Sequence, residues 1–151
     1  MTQYQYRCIY TYMSDLAKLL APTQDCTCSA LRRASRALTA HYERHFRGSG
    51  MRGTQFTVLS AIIQTGGTSV THLAELLGME RTTLTRILRP LEDVHLIKLS
   101  GADDGRVRTV TITVRGENAV RRLFPRWERA QESARSVLQA LRLPAIKELV
   151  S

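Results

Sequence analysis

Apolar residues recur every three or four positions along most of the chain and every second position over one short stretch, the marks of helix and strand. The opening "YQYRCIYTYM" holds four of the five tyrosines and has no clear helical period. "SDLAKLLAP" follows, with Ser14 as an N-cap candidate and Pro22 as a stop, and predicts a short helix. Thr27 or Ser29 opens a long helix to about Phe46, where "RGSG" breaks it. In "GTQFTVLSAIIQTGG", Phe56, Leu59, Ile62 and Ile63 share one face and Gly66-Gly67 ends the helix. Ser69 caps "VTHLAELLG", and after Gly78 "MERTTLTRILRPLEDVHLI" forms another helix. The period then shifts to two: Thr109, Thr111 and Thr113 alternate with Val110, Ile112 and Val114. This predicts a two-stranded ribbon around the tip "GADDGRVR". Helix returns from Gly116 through Trp127 to about Ala140, kinked at Pro125, and Pro144 opens a last short helix.

The stretch Val70–Leu91 carries the most information. Val70, Leu73, Ala74 and Leu77 form one apolar face, and Gly78 suits a left-handed turn. Leu84, Ile87 and Leu88 resume the stripe beyond it. Such spacing builds a helix-turn-helix. The opposite face of its second helix carries Arg81, Thr82, Thr83, Thr85, Arg86 and Arg89. Arginine takes guanine through two hydrogen bonds, and threonine bonds bases or phosphates or touches a thymine methyl. A solvated surface helix is the plain alternative, but this face is basic with hydroxyls rather than mixed in sign. At the ribbon tip, Arg106 and Arg108 suit a wing that enters a minor groove, with Asp103 or Asp104 steering Arg106.

Composition sharpens that picture. The chain has 151 residues, 22 basic and 13 acidic, and a net charge of +9, as expected of a protein that meets a polyanion. Six arginines and a single glutamate fall between Ala30 and Arg52. No run reaches the length of a membrane span and no signal peptide is recognisable, so a cytoplasmic protein with free thiols is expected. The change of composition at Met13 is also compatible with a natural start there.

The pieces "TQFTVLSAI", "LAELLGMERTTLTRILRPLE", "DDGRVRTVTIT" and "RGENAV" stand in the order and spacing of the MarR family of winged-helix regulators, which the chain resembles from about Cys26 onward. The resemblance implies a mainly α fold with a small β-wing, dimeric through interwoven N- and C-terminal helices. It also implies a palindromic operator in double-stranded DNA, and a repressor released by a small ligand or an oxidant. Residues 51–115 would be the winged helix-turn-helix domain, 25–50 and 116–151 the dimerisation region, and 1–24 an extension. The stripe Leu123, Trp127, Ala130, Ala134, Val137 and Leu141 would face the dimer. An effector cavity would be lined by Phe46, Phe56 and Leu59. The family usually has glycine where His95 stands, and histidine adopts positive φ less readily, so a differently shaped helix end is expected.

"CSALRRASRALTAHY" resembles the organic-hydroperoxide-sensing branch of the family. There Cys28 matches the reactive cysteine, and Tyr42 matches a tyrosine that assists it. Fourteen helical residues span about 21 Å, so the two would meet only across a dimer. A second tyrosine of that branch falls on Gly53 and is absent. Cys26 is a candidate resolving thiol. The alternative is packing, since Cys28, Leu31, Ser35 and Leu38 share a stripe. His41 and His45 share a face but lack a third ligand, so no metal or other cofactor is expected. The reading is of a non-enzymatic regulator. A peroxide-reducing thiol enzyme and a non-responsive DNA-architecture protein are the alternatives.

Overall fold

The structure, a computed structural model, describes residues 15–101 and 108–140, with side chains through residue 135. Ser14, the wing residues Asp103, Asp104 and Arg106, the Val137 side chain, Leu141 and the helix expected after Pro144 lie outside the described residues. The chain divides into two compact units between Leu38 and Thr39. In the first, residues 15–20 are helical (α1), Ala21–Asp25 form a 3₁₀ turn with Pro22 in its first turn, and helix α2 (Thr27–Phe46) begins.

The second unit continues through α3 (Gly53–Thr65), β1 (Thr68–Ser69), α4 (Val70–Leu76), α5 (Arg81–Asp93), β2 (Ile97–Ser100), β3 (Thr109–Ile112) and α6 (Val114–Ala140). The expected ribbon is therefore a three-stranded antiparallel sheet in the order β1-β3-β2. Ile97 lies opposite Ile112 and Leu99 opposite Val110, while Thr68 pairs with Val110. β1 has two residues, too few to show an alternation.

One core unites the helix-turn-helix with the sheet. Val58, Leu59 and Ile62 of α3 meet Leu73 of α4, Leu84, Leu88 and Leu91 of α5, Ile97 and Val110 of the strands, and Ala119 of α6. Ile63, expected on the buried face of α3, is 37% exposed, whereas Val58 is fully covered. A second cluster joins Phe46, Phe56 and Leu123, the two phenylalanine rings tilted with centroids 5.2 Å apart. Leu123, Ala130 and Ala134, read from sequence as a dimer stripe, are already buried within one chain. Gly116 marks a close approach, because a Cβ there would lie 2.1 Å from the Leu96 carbonyl oxygen.

The helix ends repeat one device. At α4, Gly78 N–H donates to Glu75 O (3.0 Å) and Met79 N–H to Ala74 O (2.9 Å), with Gly78 at φ +60°. At α5, His95 N–H donates to Glu92 O (2.8 Å) and Leu96 N–H to Leu91 O (2.9 Å), with His95 at φ +58°. These are two copies of the same paired-bond helix stop. The expectation of a differently shaped end at His95 is thus corrected. Two cap bonds, plus Thr113 Oγ1 donating to His95 O at 2.8 Å, hold histidine in the conformation glycine would take. A left-handed non-glycine residue costs about 1–2 kcal/mol, which those bonds offset.

Candidate nucleic-acid interface

Ser69 starts the reading element. Its Oγ accepts from His72 N–H at 3.1 Å and fixes the first turn of α4. Gly78 then turns the chain into α5, whose inner side chains Leu84 and Leu88 are buried. Burying each contributes about 2 kcal/mol. Differences in helix propensity among ordinary residues amount to a few tenths. Burial therefore sets the rotation of α5 about its axis. Turning it to hide the arginines would expose the leucines.

The outer face is what that rotation leaves. Arg81, Thr82, Thr85, Arg86 and Arg89 line one shallow concavity of about 550 Å³. Thr83 is exposed but does not line it. Among the described residues, none of the three arginines is paired with a carboxylate. Thr85 Oγ1 donates to Arg81 O at 2.8 Å, so its hydroxyl hydrogen is committed within the helix. Pro90 supplies no N–H to Arg86, yet α5 continues through Asp93. Arg108 is exposed just before β3, and its carbonyl accepts from Val70 N–H at 2.9 Å. The wing root is thereby tied to the start of α4.

Cys26 and Cys28 are both free and exposed. Packing by its own chain therefore does not account for Cys28. Tyr42 is half-buried and its hydroxyl donates to Gln131 Oε1. Burial raises its pKa above 10, an effect partly opposed by the charge of Arg135. Gly53, where the sensing branch has a second tyrosine, is buried against Tyr42, Glu43 and Phe46. A Cβ there would be in ordinary van der Waals contact with Glu43 Oε1 at 3.4 Å and Tyr42 Cβ at 3.5 Å.

A clasp between α2 and α6 went unseen in the sequence. Arg126 Nη1 donates to His45 O (3.1 Å) and Arg47 O (3.0 Å), closing the carbonyl end of α2. His41 Nε2 lies 3.0 Å from Ala130 O and 2.9 Å from Ser133 Oγ, and its Nδ1 lies 3.3 Å from Arg44 Nη2. That set assigns the hydrogen to Nε2. His41 and His45 are neighbours at 4.9 Å between ring centroids, and both nitrogens of His41 have partners. No group of three metal-ligating side chains occurs among the described residues. Partners some 80 to 90 positions apart leave no periodic signal for sequence reading to find.

A groove of about 850 Å³ runs along the α2–α3 turn, lined by Glu43, Arg44, Phe46, Arg47, Met51 and Arg52 among others. Of the three residues expected to line an effector cavity, only Phe46 reaches it. Phe56 and Leu59 do not line it and, like the rest of the Phe46 side chain, are buried in the core.

Comparison with known proteins adds to this geometry. The sequence profile of the MarR family matches residues 49–107. The transcriptional regulator MosR of Mycobacterium tuberculosis, solved in complex with DNA, is 33% identical; the match covers 74% of this chain and 82% of MosR, with a TM-score of 0.66. The PcaV transcriptional regulator of Streptomyces coelicolor, solved with its natural ligand, is 22% identical over 87% of this chain and 94% of its own, with a TM-score of 0.70. Bordetella bronchiseptica BpsR, whose DNA binding is regulated by 6-hydroxynicotinic acid, is 22% identical over 78% of this chain and 92% of its own, with a TM-score of 0.66. At that identity PcaV and BpsR speak to the fold. None of the curated proteins matches the chain.

Proposed function

The chain belongs to the MarR family of transcriptional regulators, and from that premise we propose that it grips a palindromic operator as a homodimer, one α5 in each half-site. It is a DNA-binding transcriptional regulator. The observation that carries the proposed contact surface is the outer face of α5: three arginines that have no carboxylate partner among the described residues, around a threonine-lined concavity, on a helix whose rotation the core fixes. Arg81, Thr82, Thr85, Arg86 and Arg89 meet the major groove, with Thr83 beside them. Arg106 and Arg108 serve the wing, with Asp104 as support for Arg106. Residues 51–115 form the reading domain and 25–50 with 116–151 the dimerisation region, preceded by an extension over 1–24. We place its action in the cytoplasm and assign it no catalysis.

The test is operator selection from random DNA, followed by binding of the selected duplex. Arg86→Ala is expected to weaken that binding at least ten-fold at matched salt, from loss of a contact worth about 1–3 kcal/mol per half-site. Unchanged affinity would remove Arg86 from the interface.

Release is proposed to follow oxidation of Cys28, with Cys26 as resolving thiol and Tyr42 as partner, or an effector in the α2–α3 groove. The exposure of both thiols supports the first route. Hydroperoxide treatment is expected to free the wild type from DNA and to leave Cys28→Ser bound. If both are freed alike, Cys28 is not the sensor.

A further inference from the structure

We propose that Thr85 reads one thymine in each half-site through its γ-methyl group. The inference rests on the DNA-binding reading of α5 and carries it from the helix to a base.

The three threonines of this helix are not equivalent. Among the described residues, neither Thr82 nor Thr83 has a hydrogen-bond partner, so their hydroxyls remain available. Thr85 Oγ1–H is directed to Arg81 O at 2.8 Å, one turn back. Such bonds are ordinary within helices, and this one matters because of where it sits. Thr85 is half-buried, while Arg81, Thr82, Arg86 and Arg89, which line the same concavity, are exposed. It is the recessed member of the face, one turn from Arg81 on one side and from Arg89 on the other.

With its hydrogen spent, Thr85 offers the groove no donor. It offers a methyl group and an acceptor lone pair. Guanine presents two acceptors on its major-groove edge and needs donors, which Arg86 beside it can supply. Thymine presents the one apolar group on that edge, its C5-methyl. A thymine methyl seated in a concavity walled by the aliphatic stems of the arginines meets the Thr85 methyl without stranding a donor, since the Thr85 hydrogen is already bonded to Arg81 O. Removing one buried methyl lowers affinity about four-fold per half-site.

The experiment replaces, in turn, each thymine of the selected operator with deoxyuridine, which lacks only the C5-methyl. Wild type, Thr85→Ser and Thr85→Val are compared at one salt concentration, with their helicity confirmed by circular dichroism. At one thymine per half-site the wild type is expected to lose about four-fold. Thr85→Val, which keeps a methyl and loses the hydroxyl, should lose as much, and Thr85→Ser should be indifferent there. A deoxyuridine profile that is the same for Ser and wild type overturns the inference. So does a wild type sensitive at no thymine, or a Val variant that alone loses the preference. If the wild type selects no sequence at all, the DNA-binding reading of α5 fails with it. If selection succeeds and Arg86→Ala loses it while the profile ignores residue 85, only the Thr85 inference fails.

Discussion

His95 and Gly116 hold the end of α5 and the start of α6 in place, one against its own conformational preference and one for want of space. His95→Gly removes the strain of φ +58° while keeping the cap bonds, which are made by backbone groups. Set against the added freedom of glycine in the unfolded chain, the expected gain is about 0.5–1 kcal/mol, measured as a shift of the urea midpoint. A lower midpoint would show that the histidine side chain itself stabilises the turn. Gly116→Ala would drive a Cβ into the Leu96 carbonyl and the Ile112 side chain. A loss of several kcal/mol is expected, well beyond the usual range for an overpacked site, because the nearest atom is backbone. Two titrations belong at this scale. Burial raises the Tyr42 pKa, so the stability it confers is complete below pH 10 and is lost as pH rises through the higher folded value. Burial first, then the charges of His41, Arg129 and Arg44, lowers that of His45. Its contribution is present above pH 6.5 and is lost as pH falls through the lower folded value. Urea midpoints against pH should flatten above pH 10 in Tyr42→Phe and below pH 6.5 in His45→Gln. A wild-type slope retained by either variant would assign it to other groups.

Among the elements, legibility followed the source of each signal. α5 was readable because Leu84 and Leu88 recur at helical spacing and leave a basic face opposite. Ser69 and Gly78 were readable because caps and left-handed turns select residue types. β1 was not, since two residues carry no period, and its place beside β3 depends on Thr68 meeting Val110 some forty positions away. The α6 stripe was legible as apolar but not as to its partner. Leu123 packs on Phe46 and Phe56 of the same chain, and periodicity cannot tell that from a second subunit. Of the proposed contacts, those on α5 could be found because one helix carries them all. The clasp through Arg126 joins distant elements. A bond from a charged donor nets about 1.5–3 kcal/mol, and here a single Nη1 is shared between two carbonyls at the end of α2, one of them exposed, so Arg126→Ala is expected to cost about 2 kcal/mol in urea unfolding. A cost under about 0.5 kcal/mol would mean water replaces the guanidinium without loss.

For the whole molecule, charge and assembly set the terms. A net charge of +9 draws the chain to any polyanion, so affinity for DNA alone does not distinguish a regulator from a packaging protein. Assembly makes the distinction possible, because a dimer places two reading helices on one operator. Leu16, Leu19 and Leu20 stand 44%, 74% and 47% exposed on a single chain, an apolar face by which the 1–24 extension would add to the burial of the dimerisation region when two chains pair. Leu19→Glu is expected to shift sedimentation towards monomer at concentrations where the wild type is dimeric. An unchanged dimer would place the interface elsewhere. The most direct test of the central claim is a fluorescence-anisotropy titration of the selected operator and a scrambled duplex at one salt concentration, with wild type and Arg86→Ala. The wild type is expected to favour the operator by about 10³ or more, with Arg86→Ala losing most of that preference. Equal binding of both duplexes by the wild type, with a steep dependence on salt, would contradict the assignment and leave a sequence-blind DNA-architecture protein.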